Sequence, residues 1–180
     1  MHRAPLLQLL NSYRTNWPAE TETADRLIGF VESNTDCFER ALSIGHITGS
    51  AWVVNKAGMH VLLTHHRKLN MWLQLGGHVD GNPDVLEAAM REALEESGLT
   101  NLKPVSPEIF DIDIHLIPER KNESAHYHHD IRFTFQVAGS EDYVVSDESH
   151  DLAWVEISHL SEVTTEESML RMAAKWLLQR

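Results

Sequence analysis

Residues 76–99 read GGHVDGNPDVLEAAMREALEESGL, and this stretch is the most informative part of the sequence. Paired glycines lead through a short loop to Pro83, and apolar residues then recur at helical spacing. The pattern predicts a helix over 84–97 that ends at Gly98, a C′ glycine. Three acids fall together on one arc of this helix, away from its apolar side: Glu92, Glu95 and Glu96.

Massed glutamates near a helix C-terminus carry a cost. Like charges three and four positions apart repel by about 0.2–0.5 kcal/mol a pair, and the helix dipole is unfavourable there. One interpretation is an ordinary solvated acidic face. The other is a metal site, because Gly76-Gly77 permits close approach of a ligand to the backbone. Carboxylates and backbone carbonyls are the hard ligands that Mg²⁺ and Mn²⁺ prefer.

These residues resemble the box of the Nudix hydrolases. Gly77 opens the box, and the run from Arg91 to Leu99, REALEESGL, closes it at the family's spacing. One position departs from the pattern, since Pro83 stands where the family has its first glutamate. The resemblance covers about residues 46–160. It implies an α/β fold, a Nudix-like α/β/α sandwich with a mixed sheet, and hydrolysis of a nucleoside diphosphate linked to another moiety.

The resemblance also implies roles for single residues. Arg91 would orient the glutamates, Glu96 and Glu92 would be the main metal ligands, and either Glu95 or Glu148 would be the general base. Three nearby acids are candidates to replace the glutamate missing from the box: Asp80, Asp84 and Glu87. The implied ligands for Mg²⁺ or Mn²⁺ are the Gly76 carbonyl and the carboxylates of Glu92, Glu95 and Glu96.

Polar side chains alternate with apolar ones on two predicted strands, 109–117 and 127–137. If these strands pair across the loop 118–125, both polar rows lie on one side of the sheet. A face made of Asp, His and Arg differs from an ordinary wet sheet face, so we expect a wall for substrate or metal. The rows are Asp111, Asp113 and His115 on one strand, and His126, His128, Asp130 and Arg132 on the other.

Three of these polar residues are candidate substrate contacts. Arg132 is predicted to clamp a phosphate, because its planar fork suits oxyanions. His128 is predicted to extend the metal shell or hold a water, and the histidines leave a Zn²⁺ site open. His78, in the glycine loop, is predicted to meet the substrate, with a structural role as the equal alternative.

The remaining sequence predicts how the chain is divided. Residues 1–40 show two helical patterns and are predicted to be a helical extension that packs on the domain or on a partner subunit. Residues 41–180 are predicted to be the Nudix-like domain, with further strands before residue 76. Met71 to Leu75 forms one short strand in this prediction. The last helix is predicted to open with a capping box at Thr164-x-x-Glu167.

Composition excludes several classes of function. The formal net charge of −12 argues against nucleic-acid binding and against docking on anionic lipid. The sequence shows no membrane span and no convincing signal peptide. A single cysteine, Cys37, favours a reducing compartment, so we expect a cytoplasmic location. A small-molecule nucleotide is the expected partner, and the sequence leaves a homodimer open.

Three functional hypotheses follow. The first is metal-dependent hydrolysis of a phosphoanhydride, in which divalent cations bridge the acidic protein and an anionic substrate. The second is a catalytically weak Nudix-fold module that binds or senses a nucleotide, which Pro83 in the box favours. The third is a cation-dependent isomerase or another non-hydrolytic use of the same scaffold. The sequence does not name the substrate among nucleotide sugars, ADP-ribose and similar compounds.

Overall fold

The computed structural model describes residues 2–67, 69–119, 124–146 and 149–179. Helices and strands mix along this part of the chain, which confirms the predicted α/β class. Short 3₁₀ helices lie at Pro18–Glu20 and Ile157–Glu162. The α-helices are α1 (Ala4–Asn16), α2 (Thr21–Ser33), α3 (Val85–Ser97) and α4 (Glu167–Leu178), and the strands are β1 (Gly45–Val54), β2 (His60–His66), β3 (Met71–Leu73), β4 (Leu75–His78), β5 (Leu102–Pro104), β6 (Asp111–Ile117), β7 (His126–Val137) and β8 (Ser149–Glu156).

The strands form a sheet in the order β3-β2-β1-β7-β5, with β4 pairing with β1, β6 with β7 and β8 with β2. Strands β1 and β2 pair as an antiparallel hairpin, with Val54 opposite Val61. The predicted strand over 71–75 is two strands, because β3 pairs with β2 while β4 pairs with β1. No helix in the described part of the chain has the length and apolar character that a bilayer crossing demands.

Contacts divide the chain into two compact units. The first unit comprises Met1–Gly49, Gly77–Ala89 and Pro107–Phe133. The second unit comprises Ser50–Gly76, Met90–Ser106 and Thr134–Arg180. Four elements, β1, β4, β7 and α3, run from one unit into the other. The predicted boundary between residues 1–40 and 41–180 stays a prediction.

In the first unit, α2 packs on the chain's own strands, and α1 packs on α2. Phe30 of α2 stacks on His129 of β7, with ring centroids 3.7 Å apart. Arg3 donates from Nη1 to the carbonyl of Glu32 at 2.9 Å and so satisfies a C-terminal carbonyl of α2. The predicted apolar face of α2 is buried: Ala24, Leu27, Ile28 and Val31.

The start of α3 also belongs to the first unit. Asp84 Oδ1 accepts the N–H of Glu87 at 3.0 Å, so Asp84 caps a helix that begins at Val85, one residue later than predicted. Gly49 of β1 allows close approach of this helix, since a Cβ there would lie 3.1 Å from the Val85 carbonyl oxygen. Any larger residue at Gly49 would push strand and helix apart.

In the second unit, α4 is tied to the turn between β1 and β2. Trp176 donates its indole N–H to the Gly58 carbonyl at 2.8 Å. The predicted capping box is wrong, because α4 begins only at Glu167 and its N-cap residue makes no side-chain cap. Thr164 Oγ1 instead accepts the N–H of Glu166 at 3.3 Å. The core of this unit includes Trp52, Leu62, Leu63, Met169 and Met172.

Candidate active site and histidine cluster

The three predicted glutamates occupy the C-terminal half of α3, in the second unit. The side chain of Glu92 is 17% exposed and that of Glu95 is 61% exposed. The backbone N–H of Gly76 donates to Oε2 of Glu96 at 3.0 Å. The glycine segment and the acidic helix, which the sequence predicts to act together, are therefore in direct contact.

Arg91 links two of the glutamates. Its Nη1 lies 2.7 Å from Oε1 of Glu92 and 3.4 Å from Oε2 of Glu95, the latter at the i,i+4 spacing of a helix face. The guanidinium thus contacts both carboxylates. This contact agrees with the orienting role that the sequence predicts for Arg91, and the role itself stays a prediction.

Two glycines shape the backbone on either side of this cluster. Gly76 has a φ of +150°, which a residue with a Cβ rarely adopts, so its N–H is held toward Glu96 by a glycine-only conformation. Gly98 has a φ of +67° and donates its N–H to the Leu94 carbonyl at 2.9 Å, which ends the helix. The Ser97 carbonyl accepts the N–H of Val144 at 2.7 Å and anchors this end.

The donor chemistry of the cluster fits a hard divalent cation. Three carboxylates and one guanidinium give a formal charge of −3 + 1 = −2 over Arg91, Glu92, Glu95 and Glu96. All the side-chain donors are oxygens, the ligand type that Mg²⁺ and Mn²⁺ prefer. Each carboxylate has about four acceptor sites, so one hydrogen bond from Gly76 does not exhaust Glu96.

The acids that follow Pro83 stabilise the start of α3. Asp84 caps α3, and Glu87 Oε2 accepts a hydrogen bond from Asn82 Nδ2 at 3.1 Å. These two acids therefore hold the helix start that lacks the family's first glutamate. Asp80, the third acid that could replace the missing glutamate, is exposed and has a φ of +49°. Glu148, the other candidate base, lies outside the described residues.

A separate group of histidines lies in the first unit. His46 of β1, His78 of β4 and His128 of β7 each offer a ring nitrogen, and these atoms lie within 4.8 Å of one another. His126 and His115 adjoin the group, with ring centroids 5.2 Å and 5.4 Å from that of His128. Four strands, β1, β4, β6 and β7, therefore bring five imidazoles together.

Two members of the histidine cluster, His46 and His128, are held in the neutral form. Burial, followed by repulsion from His78 and His126, lowers the pKa of His46 to about 4. Burial and then His46 and His78 lower the pKa of His128 to about 2. The Leu42 carbonyl acts in the opposite direction and raises the pKa of His46. Neither ring nitrogen of His46, however, has a hydrogen-bond partner of good geometry among the described residues.

The two polar rows lie in register, as the alternation predicts. In the antiparallel pair of β6 and β7, Asp113 is opposite Asp130 and His115 is opposite His128. Directly opposite residues point to the same face of a sheet. Asp113 Oδ2 also lies 3.1 Å from Nδ1 of His115 on this face. The predicted pairing across the loop is therefore confirmed.

Arg132, which is predicted to bind a phosphate, is instead surrounded by carboxylates. Its side chain is 3% exposed, and its nitrogens lie 2.7 Å from Asp130, 3.1 Å from Asp111 and 3.4 Å from Asp113. Burial disfavours the charged guanidinium, but the three carboxylates outweigh it and raise the pKa of Arg132 above its ordinary value. A phosphate would have to displace these acids, so the geometry argues against the predicted phosphate clamp.

A groove of about 620 Å³ also lies in the first unit, between α1 and the start of α3. Leu6 and Leu9 line one side, and Pro83 and Leu86 line the other. Asp84, a candidate replacement for the missing glutamate, also lines it, but its carboxylate caps α3, and the glutamates of α3 and the histidine cluster are not among the lining residues. We therefore do not assign the chemistry to this groove.

The comparison with known proteins agrees with this geometry. A family model described as the NUDIX domain matches residues 46–176. The chain belongs to the Nudix family. The match includes the glycine segment, the acidic helix and both polar strands.

Individual Nudix relatives differ in how much they share. The m7GpppN-mRNA hydrolase NUDT17 of Danio rerio is 40% identical over 68 residues, which are 35% of this chain and 22% of that protein. The chain thus spans about a fifth of the length of this curated relative. A NUDIX family hydrolase from Clostridium perfringens is 27% identical, with a TM-score of 0.56 over 75% of this chain and 98% of that one.

A more distant neighbour shows the fold alone. The Ap4A hydrolase of C. elegans, in a binary complex, has a TM-score of 0.59 at 20% identity and covers 74% of this chain and 96% of that one. The predicted family and Nudix-like fold are confirmed. The enzymatic activity, the site roles, the cytoplasmic location and the homodimer stay predictions.

The member of the histidine cluster that sequence reasoning missed is His46. It is 1% exposed and opens the buried strand β1. The sequence predicts a strand from Ile47, just after His46, and strand alternation tells which face a residue is on and not which distant strands are its neighbours. His78 and His128, in contrast, were both marked by the sequence pattern.

Proposed function

We propose that this Nudix protein is a divalent-metal-dependent hydrolase of a phosphoanhydride, acting on a nucleoside diphosphate linked to another moiety such as a sugar or ribose. The single observation that supports this most is the hydrogen bond from Gly76 to Glu96. It joins the glycine segment to the acidic helix within a matched NUDIX domain. A relative named as an mRNA-cap hydrolase and a neighbour named as an Ap4A hydrolase agree with a nucleotide substrate.

The carboxylates would hold Mg²⁺ or Mn²⁺, with the Gly76 carbonyl as a further ligand. The cluster suits such a cation because all its side-chain ligands are oxygens and because Arg91 and the three glutamates carry a formal charge of −2. When bound, such a cation supplies Lewis acidity toward phosphate oxygens and a lower pKa for bound water. The cation also offsets the repulsion between a chain of net charge −12 and a polyanionic substrate.

The chain's own residues position the carboxylates. Gly76 donates to one oxygen of Glu96, and Arg91 pairs with Glu92 and Glu95; these contacts would orient the three side chains before substrate arrives. Glu95 is the most exposed of the three glutamates and can reach solvent water, which suits a general base. Glu148 remains the alternative base.

The test is a product assay on the full chain with matched variants. Candidate nucleoside-diphosphate compounds are incubated with Mg²⁺ or Mn²⁺ in ¹⁸O-water, and products are identified by mass. We expect a nucleoside monophosphate or a phosphorylated partner carrying one ¹⁸O. The Glu96→Gln variant should lose at least about 100-fold in kcat. The control Glu162→Gln, an exposed acid outside the cluster, should keep wild-type turnover.

Near-wild-type turnover in Glu96→Gln, with an intact circular dichroism spectrum, would refute the assignment. A second candidate function is a nucleotide-binding or sensing module, which Pro83 favours because the box lacks its first glutamate. Calorimetry in Mg²⁺ separates the two. Tight binding of a compound that is never converted supports the binding module, whereas conversion with ¹⁸O incorporation supports the hydrolase.

A further inference from the structure

We propose that His46, His78 and His128 form a second metal site, which binds Zn²⁺ through three imidazole nitrogens. The site uses other residues and another ligand type than the glutamate cluster. It does not depend on the proposed hydrolase activity. The three residues lie in the first unit, on strands β1, β4 and β7.

The spacing of the nitrogens fits one ion after small side-chain rotations. The candidate ligand atoms lie within 4.8 Å of one another. Tetrahedral Zn²⁺ with Zn–N distances of about 2.0–2.1 Å brings ligand nitrogens to about 3.3 Å from each other. Each histidine is on a strand, so the backbones are already fixed and only the rings need to turn.

His46 provides the independent observation. It is 1% exposed, and neither ring nitrogen has a hydrogen-bond partner of good geometry among the described residues. A buried polar group left without a partner costs about 1–3 kcal/mol. Its ring faces those of His78 and His128, with centroids 5.0 Å and 4.9 Å away. A bound ion would give a nitrogen of His46 the partner that it lacks.

Charge on the same strand pair favours a cation. The pair Asp113–Asp130 lies two residues along from the pair His115–His128, on the same face. With Asp111 these acids total −3, and Arg132 contributes +1, so the formal charge of the network is −2.

The donor set selects the class of metal. Imidazole suits Zn²⁺ and its neighbours in the transition series, whereas Mg²⁺ prefers oxygen. Three protein ligands leave a fourth coordination position for water or an anionic oxygen. His78 and His128 are only half-buried, so solvent reaches the cluster from their side.

The experiment measures metal binding directly. The full chain, without a polyhistidine tag, is stripped with a chelator and titrated with Zn²⁺ against a chromophoric competitor in excess Mg²⁺. We expect one Zn²⁺ per chain. Co²⁺ should give the visible absorption of a tetrahedral nitrogen-ligated ion. Absence of Zn²⁺ binding by the correctly folded wild-type chain would overturn the proposal.

Variants assign the bound ion to its ligands. His78→Gln and His128→Gln should each weaken Zn²⁺ binding by more than about 10-fold, since even outer partners of a metal ligand contribute roughly 10- to 100-fold. His159→Gln, whose side chain is 59% exposed, is the matched control and should bind normally. Glu96→Gln should also bind Zn²⁺ normally. Loss of Zn²⁺ in Glu96→Gln with retention in both histidine variants would contradict the site.

Discussion

Arg132 donates from Nε to Oδ2 of Asp130 at 2.7 Å, and both side chains are almost fully buried. The same guanidinium contacts Asp111 on the neighbouring strand β6. Thr48 of β1 donates its hydroxyl to the other oxygen of Asp130 at 2.9 Å. This network therefore ties three strands together through charged groups that water does not reach.

Removing the Arg132 guanidinium from this network should lower the free energy of unfolding far more than removing an exposed arginine. Arg132→Met leaves buried carboxylates uncompensated, so we expect the free energy of unfolding to fall by about 3–5 kcal/mol. Arg14→Ala is the control, because its 2.8 Å pair with Asp25 is exposed and should contribute less than about 1 kcal/mol. Urea unfolding of both variants measures the difference. Equal losses would show that the buried network does not stabilise the fold.

Much of the acidic helix follows from its local sequence. Helical spacing predicts its length, Gly98 predicts its end, and the arc of glutamates predicts which face is acidic. Alternation likewise predicts that Asp113 and Asp130 share one face of a sheet, and the register confirms it. These features depend on residues close in sequence or on a single hairpin, so a pattern is sufficient to find them.

Other features depend on contacts that no local pattern encodes. His46 meets His128 only because distant strands lie near each other. Arg132 looks like a free phosphate ligand in the sequence, and burial among carboxylates decides otherwise. The strand β5 is three residues long and contains Pro104, too short to show a period. Thr164 matches a capping pattern, but α4 starts at Glu167.

Two glycines should respond in opposite ways to alanine. Gly29 lies in α2, is exposed and has nothing within 4 Å of a built Cβ, so Gly29→Ala should stabilise the protein by about 0.5–1 kcal/mol. Gly98 has a φ of +67°, and a Cβ would lie 3.0 Å from Cβ of Val144. Gly98→Ala should therefore destabilise by about 1–3 kcal/mol. Thermal unfolding of the pair checks both signs, and a stabilised Gly98→Ala would contradict the strained helix end.

Cys37 should be unreactive while the protein is folded. It is fully buried, and burial raises the pKa of its thiol from 9.0 to about 11. At pH 8.5 the folded state then holds about 100-fold less thiolate than the unfolded chain, so alkylation should be at least that much slower. Mass spectrometry after iodoacetamide treatment, with and without urea, measures the ratio.

The same shift has a consequence for stability at high pH. The unfolded thiol ionises near pH 9 and the folded thiol only near pH 11, so stability from this group is intact below pH 9 and is lost as the pH rises to 11. The loss should be about 2–3 kcal/mol. Comparison with Cys37→Ala isolates it, because the variant should lose less stability over that range. Rapid labelling of the folded protein at pH 8.5 would contradict the burial of this thiol.

Arg91 tests whether positioning of the glutamates matters for the proposed hydrolysis. In Arg91→Ala, Glu92 loses its 2.7 Å partner and Glu95 its i,i+4 partner, so both carboxylates regain rotational freedom. We expect kcat at saturating Mg²⁺ to fall by about 10-fold or more, because misplaced catalytic groups lower the rate steeply. Arg91→Lys keeps the charge without the planar fork and should be intermediate. The matched control is Arg14→Ala, whose partner Asp25 lies on α2. An Arg91→Ala enzyme that regains full kcat simply at higher Mg²⁺ would show that Arg91 affects metal affinity alone and does not orient the glutamates.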